Sequence, residues 1–210
     1  MGALVKAVHT PWALPWDHRK IILNFDGVLR NCGVKSAVVR RRMTINAVTA
    51  SGWKQNCFCY NAFGVQLGGW RGDYFVTNTF EYEDGVKVHI EKQPWRAFDN
   101  FFHAVSDWLS RMQNYERYEV AWKHIADESV TDGEWWVMMG KGGYYTAPLN
   151  ESWGDSLGKR IEKTLAEAKP GDFDEGLAID VGNTSSSLLP IVAISLGVIG
   201  LVLILVGYGY

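Results

Sequence analysis

The sequence is poor in the features that mark disulfide-rich, nucleic-acid-binding and exported proteins. Its three cysteines are too few for a disulfide scaffold, and 21 basic against 23 acidic residues give a net charge of −2. This balance excludes a general polycation, so no nucleic-acid partner is expected. Residues 1–20 contain no apolar run long enough for a secretory signal. Without such a signal, we expect the globular part of the chain to remain on the side of the membrane from which the membrane segment predicted below is inserted.

Metal and catalytic motifs are also scarce. Structural zinc usually takes two matched cysteine pairs, which Cys32, Cys57 and Cys59 do not form. No Glu-x-x-His pair is present for a di-iron site, and no phosphate-binding loop has the required spacing. The sequence thus predicts no catalytic residue, no metal and no cofactor. A bound lipid is the one ligand that we expect.

One short segment has the pattern of a known catalytic motif. Residues Ile21–Leu29, IILNFDGVL, resemble the first motif of the haloacid-dehalogenase-like phosphatases, where a strand ends in Asp-x-Asp-Gly. The resemblance implies a strand followed by a turn at Asp26. The nucleophilic carboxylate of that family would fall at Asn24, and an amide cannot form the acyl-phosphate. The motif therefore predicts a strand but no phosphatase.

The strongest signal in the sequence is the apolar run Leu188–Val206. Fourteen of its nineteen residues are Leu, Ile or Val, and none is charged. At about 1.5 Å per residue it covers roughly 28 Å, close to the thickness of a bilayer core. We predict a single transmembrane helix here. Small residues form a candidate packing face for a second helix, and aromatic residues are candidate interface anchors: Ala193, Gly197 and Gly200 for packing, and Trp12, Trp16, Tyr208 and Tyr210 as anchors.

The remaining chain predicts an α+β fold, an antiparallel sheet covered by helices on one face. Strands are expected at 21–29, within 33–50 and at 57–67, and Arg40–Arg42 is interpreted as a solvated edge. A hairpin follows at Asp84-Gly85, then a long amphipathic helix that is continuous or broken near Asn114. A second hairpin at 134–147 and a helix at 155–169 complete the domain. The predicted organisation is an extended Trp/Pro arm at 1–19, a globular domain at 20–169, an acidic, Ser-rich linker at 170–187, the transmembrane helix at 188–206 and a short tail at 207–210.

Two registers fit the hairpin. A two-residue Asp84-Gly85 loop pairs Glu83 with Val86 and mixes acids and aliphatics on one face. A three-residue loop pairs Tyr82 with Val86 and collects the apolar side chains on one face. Because the buried face normally fixes register, we predict the three-residue loop, with Gly85 in the left-handed region.

These features favour a non-catalytic, single-pass membrane protein, an accessory or structural subunit of a larger complex. An energy-transducing, respiratory-type complex fits, and the mitochondrial inner membrane is the first choice of location. The expected partners are other membrane-protein subunits and the lipid bilayer. A virion or envelope membrane protein is the alternative, and a second alternative is an anchored enzyme that uses scattered residues such as Asp73, His89 and His103.

Overall fold

The computed structural model describes residues 2–8, 18–51 and 58–172, and these form an α+β fold. A two-stranded antiparallel sheet is combined with helices, so the predicted fold class is confirmed at this level. The elements are α1 His18–Asn31, α2 Ala37–Ser51, β1 Tyr74–Glu83, β2 Val86–Arg96, α3 Phe101–Asn114, a 3-10 turn Glu116–Tyr118, α4 Glu119–Lys123, α5 Asp132–Lys141 and α6 Glu151–Ala166.

The first two elements are helices, which corrects the strands predicted at 21–29 and within 33–50. In α1, the buried residues Ile21, Phe25 and Val28 recur at intervals of four and three, the spacing of one helix face. In α2, Val39 and Met43 are buried one turn apart. The many Val, Ile and Thr residues of this region favour strands only weakly, and packing of the helix face into the core overrides them.

The core between the helices is built on aromatic side chains. Trp108 of α3 and Trp135 of α5 are completely buried, and the Phe63 ring stacks on Trp108 with 5.1 Å between centroids. The indole N–H of Trp135 donates to the carbonyl of Ala121 at 3.0 Å, so its polar edge is satisfied. Part of the aromatic excess in the sequence therefore serves the core.

Arg40–Arg42 lie inside this helical layer, which corrects the solvated edge inferred from sequence. Arg40 pairs with the buried carboxylate of Asp26 at 2.7 Å, and Arg41 pairs with Asp132 at 2.6 Å. The Arg42 side chain is fully buried and donates to main-chain carbonyls that precede α5. A helix turns the three side chains through about 100° per residue, so Arg40 reaches Asp26 while Arg41 and Arg42 both reach Asp132.

The later helices match the sequence in part. Of the two alternatives for the long helix, the structure has the one broken near Asn114, because α3 ends there and a 3-10 turn leads into α4. The helix predicted at 155–169 is α6, which begins earlier because Asn150 caps it. The second hairpin predicted at 134–147 is wrong. Its first half is α5, which begins with a capping box between Thr131 and Glu134 that the sequence interpretation missed.

The β1–β2 hairpin has the two-residue loop, which corrects the predicted register. Glu83 pairs with Val86 and Glu81 pairs with Val88, and both loop residues have positive φ, 50° at Asp84 and 79° at Gly85. These angles fit a type I′ turn, whose twist matches that of paired strands. Val86 remains 65% exposed, so little is buried at the hairpin tip and turn geometry determines the register.

The amino-terminal segment 2–8 runs beside this hairpin. Leu4 forms a parallel bridge with Tyr74 at the start of β1, and Cys59 donates its backbone N–H to Val8 at 3.0 Å. Among the described residues, no helix has the length and apolar character needed to cross a bilayer. The predicted transmembrane helix at 188–206, its packing residues and all four aromatic anchors lie outside the described residues.

Candidate functional site

The candidate site lies where the hairpin meets the helical layer, and Glu81 of β1 is at its centre. The register places Glu81 on the half-buried hairpin face with Thr79, Val88 and Ile90. Its Oε2 accepts a hydrogen bond from the hydroxyl of Thr146, and its Oε1 accepts one from Nε2 of Gln66 at 3.4 Å. Glu81 is thus a partly exposed carboxylate held by two neutral donors, one from each side of the junction.

The Thr146 side of the junction is fixed by the loop after α5. The Tyr144 hydroxyl donates to the carbonyl of Phe63 at 2.8 Å and accepts from Nε1 of Trp108 at 2.9 Å. Tyr145 stacks on Trp136 with 4.1 Å between centroids. Burial raises the pKa of both tyrosine hydroxyls above the ordinary value, so they remain protonated donors. The Thr146 hydroxyl, which also accepts from the backbone N–H of Tyr82, is therefore held in place.

The Gln66 side is fixed by Asn61, a buried residue in the turns before β1. The Asn61 side chain donates to the carbonyls of Val65 and Arg96 at 2.9 and 3.0 Å, and accepts from the Val65 N–H at 2.8 Å. Gln66 follows directly and forms a bridge with Trp95. This region contains turns and two isolated bridges, at Phe58 and Gln66, so the strand predicted at 57–67 is wrong within its described part.

A second polar cluster joins the base of β2 to α3. Asp107 accepts from Arg96 Nη1 at 2.6 Å and from Arg111 Nε at 3.2 Å. Burial raises the pKa of Asp107, although the two guanidinium groups oppose this shift, and burial lowers the pKa of Arg96. The Arg96 guanidinium also lies over the Trp70 ring, 4.7 Å from its centroid. These contacts attach the base of the hairpin to α3.

The scattered residues considered for an anchored enzyme each have separate partners. Asp73 accepts from the backbone N–H of Ala3, and His89 packs against Phe80 on the exposed hairpin face. His103 of α3 has its Nδ1 3.2 Å from a carboxylate oxygen of Asp99. No contact joins the three within the part of the chain that the structure describes. They therefore form no common site there.

The cysteines contribute no site within the described chain. Cys32 and Cys59 are both buried with free thiols, and desolvation raises the pKa of Cys32 to about 12. Residues 2–8, 18–51 and 58–172 contain no cluster of three or more His, Cys, Asp or Glu side chains suited to a metal. Cys57 lies outside these residues.

The fold is similar to that of solved peptidoglycan hydrolases. No family model matches the chain. Over 106 residues it is 28% identical to the peptidoglycan hydrolase FlgJ of Vibrio cholerae, a match that covers 47% of this chain and only 30% of that protein. A crystal structure of a peptidoglycan hydrolase mutant from Sphingomonas sp. A1 superposes with a TM-score of 0.57 at 21% identity, covering 70% of this chain and 99% of that one. The non-mutant hydrolase gives 0.51 at 18% identity, covering 70% and 97%.

These similarities overturn the functional interpretation drawn from the sequence. The relative and the structural neighbours are enzymes that act on peptidoglycan, and they come from bacteria. The prediction of a non-catalytic accessory subunit is therefore wrong, as is its mitochondrial location, whereas the virion alternative remains a prediction. No local catalytic motif surrounds Glu81, so motif patterns in the sequence do not point to it. The signal available in the sequence was the Asp-Gly turn. A two-residue loop there pairs Glu81 with Val88 and puts Glu81 on the same strand face as Thr79.

Proposed function

We propose that this protein hydrolyses a glycosidic bond of peptidoglycan, with Glu81 as the carboxylate that acts on the substrate. The observation that carries the proposal is the position of Glu81 at the junction of hairpin and helices, partly exposed and held by Thr146 and Gln66. The similarity to peptidoglycan hydrolases in fold and in half of the sequence supports the same activity.

The chemistry available at the junction favours cleavage of the glycan over cleavage of the peptide. Glycoside hydrolysis uses carboxyl groups to donate and accept protons at the scissile bond. Glu81 accepts two hydrogen bonds from uncharged groups, so its oxygens are oriented, and within the described residues no salt bridge joins it to a lysine or arginine. This suits a general base that takes a proton from the attacking water. Peptide cleavage by a thiolate is a poor fit to Cys32 and Cys59, because both thiols are buried.

The test compares two glutamates on the same hairpin face. Glu81→Gln keeps the size and the acceptor oxygen but removes the carboxylate, whereas Glu83→Gln makes the same change two residues away at the exposed tip. We expect Glu81→Gln to lower the release of new reducing ends from purified sacculi at least about 100-fold. Glu83→Gln should stay within about twofold of the wild type. Equal activity of the two variants would refute the assignment of Glu81.

We also propose that residues 188–206 anchor this domain in a bilayer next to its substrate. The support is the uncharged run of about 28 Å, with Ala193, Gly197 and Gly200 as a face for a partner membrane protein. A chain ending at residue 187 should move from the membrane fraction to the soluble fraction. An unchanged distribution would refute the anchor.

A further inference from the structure

Two arginines converge on an open space beside Gly68, in the turns that lead to β1. Gly68 has φ of +50° and is exposed. The point where a side-chain carbon on Gly68 would lie is 3.8 Å from Arg96 Nη2 and 3.8 Å from Arg111 Nη2. The glycine therefore leaves a space that is open to solvent and bordered by two guanidinium groups.

The charges at this space are not balanced. Asp107 is the one carboxylate bonded to these arginines within the described chain, and it binds Arg96 through Nη1 and Arg111 through Nε. Arg96 Nε donates to the carbonyl of Gln66 at 3.2 Å. In the described residues, no acceptor is bonded to Arg96 Nη2 or to either Nη group of Arg111. Two positive charges thus share one negative charge, and the unused donors face the same opening.

The surroundings make these donors effective. Only 6% of the Arg96 side chain and 15% of the Arg111 side chain is exposed. The Trp70 ring covers Arg96 and the Tyr115 ring lies 5.3 Å from the Arg111 guanidinium carbon. Such rings restrict the arginine rotamers and exclude water from one face, so an anion meets oriented donors in a medium of reduced dielectric constant.

We propose that Arg96 and Arg111 bind an oxyanion, a single carboxylate or phosphate group, in the space above Gly68. Guanidinium forks match the oxygens of both groups, and hydrogen bonds between charged partners are the strongest of their kind. This space lies beside the carboxylate proposed for catalysis, because Gln66 donates to Glu81 through its side chain and accepts from Arg96 Nε at its carbonyl. The same chemistry would accept free phosphate or a carboxylate of the peptide stem of peptidoglycan.

A structural role for the cluster makes a different prediction. Arg111 lies in the last turn of α3, where a positive charge is favourable whether or not an anion binds. Asp107 alone would then complete the cluster. A ligand site should instead show saturable binding that depends on Arg111 and on the empty space at Gly68.

The experiment titrates the full chain with inorganic phosphate at constant ionic strength and follows the arginine Nε–H signals by NMR. We expect saturable shifts at Arg96 and Arg111. Arg111→Gln should weaken binding about tenfold or more, since it removes a charged donor. Arg117→Gln removes an exposed arginine that stacks on Tyr118 and should change binding less than twofold.

A second variant keeps the test decisive if Arg111→Gln unfolds. Asparagine tolerates the positive φ at this position. In Gly68→Asn its side chain fills the space without removing an arginine, so the saturable shifts should disappear. A parallel titration with a muramoyl dipeptide and with a neutral N-acetylglucosamine oligomer distinguishes the source of the oxyanion. Binding of the muramoyl dipeptide but not the neutral sugar would assign the site to the peptide stem, and binding of phosphate alone would assign it to free phosphate. Shifts that do not saturate, or that fall equally in Arg111→Gln and Arg117→Gln, would overturn the proposal.

Discussion

Arg42 offers a sharp test of how the helical layer is held together. Its guanidinium donates to the carbonyls of His124, Asp127 and Val130, and its Nε lies 3.4 Å from Asp132. The side chain is fully buried and packs 5.9 Å from the Trp135 ring centroid. One residue of α2 thus connects α5 to the turn that follows α4.

Arg42→Met keeps an unbranched apolar stem in place of the arginine methylenes and removes all of these donors. Asp132 retains its bond to Arg41, so the main loss is at the three carbonyls. Each hydrogen bond to a charged group contributes about 1.5–3 kcal/mol, and the desolvation of the buried guanidinium offsets part of the sum. We expect a loss of about 3–5 kcal/mol in the free energy of unfolding. For a chain of 210 residues this lowers Tm by roughly 6–20 °C.

The assay is thermal unfolding followed by far-UV circular dichroism, with two comparisons. Arg42→Lys keeps the charge but cannot reach several carbonyls at once, so its Tm should fall between those of the wild type and Arg42→Met. Lys123→Gln removes an exposed ion pair with Glu119 and should leave Tm within about 2 °C. A drop of less than about 3 °C for Arg42→Met would refute the structural role of this arginine.

Three further predictions concern single groups. Hydrogen bonds from Ser129 and His124 lower the pKa of Asp127 to about 2. The stabilising contribution of this carboxylate is therefore present above its ordinary pKa near 3.8 and is lost as the pH falls toward 2. Ser129→Ala should raise the NMR titration midpoint of Asp127 toward 3.8, and an unchanged midpoint would contradict the stated cause. Burial raises the pKa of Cys32 to about 12, so iodoacetamide should leave its peptide unmodified in the native protein at pH 8 and modify it after denaturation. Native labelling of Cys32 would show that it is not buried. Gly85→Ala forces a β-carbon into the left-handed region and should destabilise the hairpin by about 1–2 kcal/mol, seen as faster amide exchange in β1 and β2; unchanged exchange would argue against the type I′ turn.

The apolar spacing of α3 predicted a helix that the structure confirms, whereas α1 and α2 were predicted as strands. In α3, Val105, Trp108 and Met112 follow the 3.6-residue period and are buried as expected. In α2, three consecutive arginines interrupt the apolar spacing. They lie in the helical layer because acceptors from other parts of the chain, Asp26 and Asp132 among them, pair with them. No local pattern identifies such partners.

The candidate site was missed for a related reason. The predicted hairpin register placed Glu81 on the solvent face with Lys87 and His89, whereas the structure pairs it with Val88 on the half-buried face. Burial does not select the register of this hairpin, because its tip is exposed and the geometry of the turn determines the pairing. The partner of Glu81, Thr146, lies 65 residues away in a loop that was predicted as a strand.

The central claim, hydrolysis of the peptidoglycan glycan, is tested most directly by the products that the purified protein releases from sacculi. Hydrolysis adds water across a glycosidic bond, so mass spectrometry should detect fragments with a new reducing end that borohydride converts to the alcohol. The amount of these fragments should rise with time for the wild type and not for Glu81→Gln. A folded wild-type protein that releases no such fragments, or releases only cleaved peptides, would contradict the account.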